Sequence, residues 1–178
     1  MTSTDPPAGL IGLTSISGDV GKLIELGQFF NGDGFKAWEH AFMSIGNGLI
    51  VEAEPGGARV RAYTEYGVIY WCHGLYSLGT AVQNQAAADA AKKYTMAGPW
   101  GPHGVPYSAL DYFALATHRL HIPAPGLQAY IKSTQHMICS QLVDQADQDA
   151  GIHLFTDNRW PGYVDPLSLY NRDLELTK

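Results

Sequence analysis

Apolar and polar positions change rhythm three times along this chain. Residues 10–16 are mostly apolar and read as a short strand. Ser17 or Asp19 can then cap a helix whose apolar positions Val20, Leu23, Ile24, Gly27 and Phe30 recur at helical spacing. Asn31-Gly32-Asp33-Gly34 ends that helix as a turn. The middle of the chain reads as strand. Residues 40–45 and 49–54 form two strands joined at Gly46-Asn47-Gly48, which predicts a hairpin. Pro55-Gly56-Gly57 closes the second strand. Residues 58–63 alternate as a half-buried strand does, and residues 68–72 are a further strand candidate, rich in β-branched and aromatic side chains. The helical period then returns. Residues 80–96 are Ala-rich, residues 98–104 are a Gly/Pro loop, and residues 108–120 are amphipathic, with Ser108 as a candidate cap. Pro123 and Pro125 break the chain before a helix over 136–150, with Ile138, Leu142, Val143 and Ala146 on one face. From Trp160 onward the pattern is turn-rich and ends polar. Strands and helices in separate blocks predict an α+β fold with an antiparallel sheet packed against helices. No internal repeat or domain boundary interrupts residues 9–178, so these read as one domain behind a polar, Pro-rich lead over 1–8, expected to be disordered.

Composition narrows the function classes. The chain has 178 residues, 46% hydrophobic and 16% charged, which suits a globular domain with one sizeable core. Its net charge is −6, and its 11 Lys and Arg are scattered. Nucleic-acid binding needs clustered cations and is therefore disfavoured. The first residues lack the basic start and apolar stretch of a signal peptide, and no apolar run reaches membrane-spanning length. The expectation is a soluble protein without a membrane segment, cytoplasmic or phage-associated by default. The sequence sets no oligomeric state. The two cysteines, Cys72 and Cys139, make neither a disulfide framework nor a zinc motif, and no metal or other cofactor is expected.

Three residues carry candidate chemistry. Cys139 lies in the first turn of the helix predicted over 136–150, with Ser133 or Thr134 as candidate caps. Partial positive charge and free N–H groups there favour a thiolate and suit an oxyanion. Taken alone, a free cysteine is more often a small core residue. Cys72, at the end of a buried strand, is expected to be inert. His40 begins a strand and is one of seven histidines, so its position alone means little. His103 sits in the Gly/Pro loop, His118 and His121 flank a helix end, and His73, His136 and His153 have no distinguishing context. Glu52 follows His40 by twelve positions across the hairpin, and strand alternation puts Glu52 and Glu54 on one face. A carboxylate beside an imidazole is the third element of a nucleophilic triad. Spacing favours Glu52 for that role, with Glu54 as the alternative.

The order His, Glu, Cys, with the first two on one hairpin and the third opening a late helix, resembles the circularly permuted papain-like (NlpC-type) hydrolases. These include the YaeF/YiiX-like and lecithin retinol acyltransferase-like proteins. The segments that carry the resemblance are 49–60, around Glu52-Ala53-Glu54-Pro55-Gly56-Gly57, and Ile138-Cys139-Ser140-Gln141-Leu142-Val143. Residues 10–30, 104–111 and Val164-Asp165-Pro166-Leu167-Ser168-Leu169 add to it, so the match runs in order over roughly 10–170. Three features depart from the pattern. Gln141 stands where the family often has Glu, Glu39 precedes His40 where a small residue is common, and the stretch 98–104 with Trp100 has no counterpart.

The resemblance implies a cysteine peptidase or amidase acting through Cys139, His40 and Glu52, with the Cys139 backbone N–H as oxyanion donor and Tyr107 as a candidate for shaping the site. It implies no cofactor. Its substrate would be a peptide, peptidoglycan-like or acyl compound, with bacterial cell-wall peptide first. The alternatives are a thioesterase or acyltransferase on lipid-linked substrates, whose acyl chain Trp38, Trp71 and Trp100 could line, and a catalytically silent binding module on the same fold.

Overall fold

The computed structural model describes residues 5–15, 38–54, 56–98, 104–106, 137–157 and 164–178. The helix expected after residue 16, the turn at 31–34, the helix expected over 108–120 and Tyr107 lie outside them.

Among the described residues five strands build one antiparallel sheet: β1 (Ile11–Thr14), β2 (His40–Gly46), β3 (Leu49–Glu54), β4 (Gly57–Ala62) and β5 (Tyr70–Trp71), in the order β4-β3-β2-β1-β5. The hairpin expected between residues 40 and 54 forms the centre of this sheet. Asn47 and Gly48 both adopt positive φ, 54° and 74°, which a two-residue turn between twisted strands requires. The register slips by one residue between Ser44 and Gly46, and before the slip Phe42 faces Glu52 and Met43 faces Val51. The last strand is shorter than the 68–72 expected. Val68 is exposed, although its carbonyl accepts from Thr14 Oγ1 at 2.8 Å.

Four helices are found among the described residues: α1 (His73–Tyr76), α2 (Ala81–Tyr94), α3 (Cys139–Asp149) and α4 (Pro166–Leu176). The fold is α+β. Thr80 caps α2, accepting from Gln83 N–H while Gln83 Oε1 accepts from Thr80 N–H. The odd-numbered positions Ile11, Leu13, Ala41, Met43, Val51 and Ala53 share one sheet face. They are buried with Ala87, Ala88 and Ala91 of α2 and Leu142, Val143 and Ala146 of α3. Alanines let α2 approach closely, and the larger side chains of sheet and α3 fill the space, which keeps the core dense. The alternate positions, His40, Phe42 and Glu52, fall on the other face.

Three expectations need correction. Residues 5–8, expected as part of a disordered lead, are held against β2. Ser44 Oγ donates to the Pro6 carbonyl at 2.9 Å, and Gly9 N–H donates to the Ser44 carbonyl at 2.8 Å. The late helix begins at Cys139 rather than 136. Ile138 is extended and its N–H donates to Gln141 Oε1 at 3.1 Å, so a side chain inside the helix satisfies the preceding backbone. The tail, expected to be turn-rich, holds α4. Asp165 Oδ1 accepts from Ser168 N–H at 2.6 Å, and Pro166 occupies the first turn. No helix among the described residues is long and apolar enough to cross a membrane.

At Gly12 the second sheet face leaves no room for a side chain. A Cβ there would lie 2.2 Å from Phe42 Cε2 and 2.9 Å from Trp71 Cζ3. Phe42 is fully buried and its ring has little room to retreat. Gly12→Ala is therefore expected to destabilise the fold by about 1–3 kcal/mol, as a lowered denaturant midpoint. An unchanged midpoint would mean that the ring layer yields freely.

Candidate active site

Strand, hairpin and helix start converge on one imidazole. His40 opens β2, the central strand. Glu52 lies on β3, diagonal to His40 rather than directly opposite, because its Cα partner is Phe42. Pleating puts both side chains on the same face, and His40 Nε2 meets Glu52 Oε2 at 2.9 Å. Cys139 is the first residue of α3, where the helix end leaves backbone N–H groups outside the helical ladder. Its thiol is hydrogen-bonded to His40. With Nε2 turned to Glu52, Nδ1 is the ring nitrogen left to face the sulfur. All three side chains are buried.

The electrostatics follow from this placement. Burial alone lowers the basicity of His40. The Cys139 sulfur, by charge and hydrogen bond, and Glu52, likewise, oppose it and hold the imidazole well above its usual range. Burial would raise the Glu52 carboxyl. Hydrogen bonds from His40 and Tyr66, the imidazolium charge and Arg59 reverse that and bring it down to about 2. Both shifts favour an imidazolium beside a carboxylate, and positive charge on His40 in turn favours negative charge on the sulfur.

Cys72 supplies the contrast. Both thiols are free and buried, so exposure does not separate them. Burial and then the negative charge of Asp173 push the Cys72 thiol well above its ordinary value. A cation-partnered thiol and an anion-partnered thiol on one chain have opposite reactivities.

The sequence reading missed the groups that hold Glu52. Arg59 Nε donates to its Oε1 at 2.9 Å and Arg61 Nη1 to the same oxygen at 3.3 Å. The Tyr66 hydroxyl donates to Oε2. Arg59 and Arg61 were legible in principle. They alternate on β4, and the pairing of β3 with β4 puts Arg59 opposite Glu52. Tyr66 was not, because a single 3-10 turn (Tyr63–Glu65) brings it back over the strands. Glu54, the alternative third member, shares the face but binds Arg59 Nη2 and, at 3.3 Å, the Tyr66 hydroxyl. Glu39, beside His40, is buried, and its N–H donates to the Thr14 carbonyl.

His40, Glu52 and Glu54 place nitrogen and oxygen atoms within 4.8 Å of one another, a spacing that suits a cation. Yet each carboxylate oxygen there already accepts a hydrogen bond, and two guanidiniums lie alongside. A metal would have to displace cations that are in place, so the donor set fits an ion-paired carboxylate better than a metal centre.

No family model matches the chain, and a search of curated proteins finds no match. The functional reading therefore stands on the geometry and on the motifs.

Proposed function

We propose that this protein is a cysteine hydrolase of the circularly permuted papain-like (NlpC-type) class, cleaving an amide bond through Cys139, His40 and Glu52. The observation that carries the reading is a buried imidazole tied on one side to a thiol at a helix start and on the other to a carboxylate. The order of elements supports the permuted class: hairpin first, nucleophile helix late, helices against one face of an antiparallel sheet. A silent binding module has no need of a thiol, imidazole and carboxylate held in contact.

In the proposed reaction the Cys139 thiolate attacks the carbonyl carbon and forms a C–S bond. The carbonyl oxygen takes up negative charge, with the Cys139 backbone N–H as its candidate donor. The C–N bond then breaks, and the departing amine takes the proton of the His40 imidazolium. Water attacks the thioester while His40 accepts its proton, releasing a carboxylic acid and restoring the ion pair. Glu52 keeps the ring oriented throughout. Bacterial cell-wall peptide is the first substrate class to try, and the same thioester would serve a thioesterase or an acyltransferase.

An activated ester such as p-nitrophenyl acetate tests the covalent step without knowledge of the substrate. Acid quenching and peptide mass spectrometry are expected to find an acetyl group on Cys139 and none on Cys72, with Cys139→Ala abolishing the burst of p-nitrophenol while remaining folded. A full burst from Cys139→Ala would remove Cys139 as the nucleophile.

A further inference from the structure

Glu52 has more donors than an orienting carboxylate requires, and they divide unevenly. Arg59 and Arg61 both bind Oε1. Oε2, the oxygen that holds His40, has one other donor among the described residues, the Tyr66 hydroxyl. Without that hydroxyl the guanidiniums act on one end of the carboxylate, and of the described residues the imidazole alone holds the other. The Tyr66 ring is itself held firmly. It stacks on Phe42 with centroids 5.2 Å apart and planes 7° from parallel, and it lies 5.8 Å from the His40 ring. The Arg61 guanidinium carbon sits 5.1 Å from its centroid, and Arg61 also pairs with Glu65, the residue before Tyr66. Tyr66 N–H donates to the Tyr63 carbonyl at 3.0 Å, closing the turn that delivers the ring.

We infer, on the triad reading given above, that Tyr66 is a positioning residue: its hydroxyl fixes Glu52 Oε2 in line with His40 Nε2 and so keeps the other ring nitrogen on Cys139. Burial and the Glu52 charge push the Tyr66 phenol far up, so it stays a proton donor across the working range. Two effects of the hydroxyl oppose each other. As a second donor it draws charge from Oε2 and weakens the pull on His40. As an anchor it prevents the carboxylate from rotating toward Arg59 and Arg61. The anchor dominates, because two cations pull the far oxygen and a misaligned Oε2 loses its charge-assisted hydrogen bond altogether.

The test is the rate of Cys139 alkylation by iodoacetamide as a function of pH, in the wild type, Tyr66→Phe, Tyr63→Phe and His40→Ala. Tyr66→Phe keeps the ring, its stacking on Phe42 and both guanidiniums on Glu52, so the thermal midpoint is expected to stay close to that of the wild type. Its alkylation rate at pH 6 is expected to fall about tenfold, the scale of a hydrogen bond to a charged group, and its pH profile to shift upward. Tyr63→Phe alters the same aromatic layer without touching Glu52 and is expected to match the wild type. A Tyr66→Phe profile that is unchanged or shifted downward, while His40→Ala abolishes the low-pH reactivity, overturns the positioning role alone. So does a lower thermal midpoint with an unmoved profile. If His40→Ala itself leaves the profile unchanged, the triad reading fails and the role of Tyr66 fails with it.

Discussion

Glu52→Ala is expected to destabilise the fold by about 3–5 kcal/mol, measured as a fall in the urea midpoint, while Glu54→Ala is expected to shift it by less than about 1 kcal/mol. Glu52 is completely buried and accepts from His40, Arg59, Arg61 and Tyr66. Its removal strands these donors around a small apolar side chain. Arg59 is half exposed and recovers some hydration, but His40 is buried and does not. Glu54 pairs with the exposed side of Arg59, where water replaces it at little loss. The pH dependence has a definite sign. The Glu52 carboxyl is lowered from 4.5 to about 2, so its contribution is fully present above pH 4.5 and is lost as pH falls through about 2. Similar urea midpoints for the two variants would mean that Glu52 does not anchor the network.

How far these features could be read in the chain depended on whether the responsible contacts were local. The hairpin was legible because Asn47-Gly48 specifies its own turn and the flanking alternation specifies its faces. α3 starts three residues later than the spacing predicts, because apolar spacing continues through Ile138 and the capping side chain, Gln141, lies inside the helix instead of before it. The missed helix α4 had a local signature in Asp165-Pro166, but its buried face includes Asp173, which breaks the apolar pattern. That carboxylate is satisfied by Tyr70 and the Leu75 N–H, about a hundred residues earlier in the chain. The site divides in the same way. His40 and Glu52 follow from strand period and turn length. Tyr66 depends on a turn that closes through packing.

The second large effect is on reactivity. In the proposed mechanism His40→Ala removes both the cation that stabilises the Cys139 thiolate and the base that activates water on the thioester. Ester turnover is expected to fall by about 10³-fold or more, since triad members fail as a unit. Because the Cys139 sulfur and Glu52 raise the His40 imidazole to about 10, the imidazolium of the wild type is expected to persist until pH rises through that value. The stability that His40 contributes by its pairing is fully present below its usual 6.5 and is lost through that same rise. Amide turnover, in which the departing amine must take a proton, is expected to decline there for want of a donor, while alkylation, which needs none, continues.

Residue-resolved alkylation by iodoacetamide across pH, comparing wild type with His40→Ala, tests the thiolate–imidazolium pair most directly. The pair predicts that Cys139 reacts well below the ~8.5 of a free thiol, that Cys72 stays unreactive in the folded protein, and that His40→Ala abolishes the low-pH reaction. A Cys139 profile that follows an ordinary thiol in both proteins would contradict the pair and leave Cys139 a core residue.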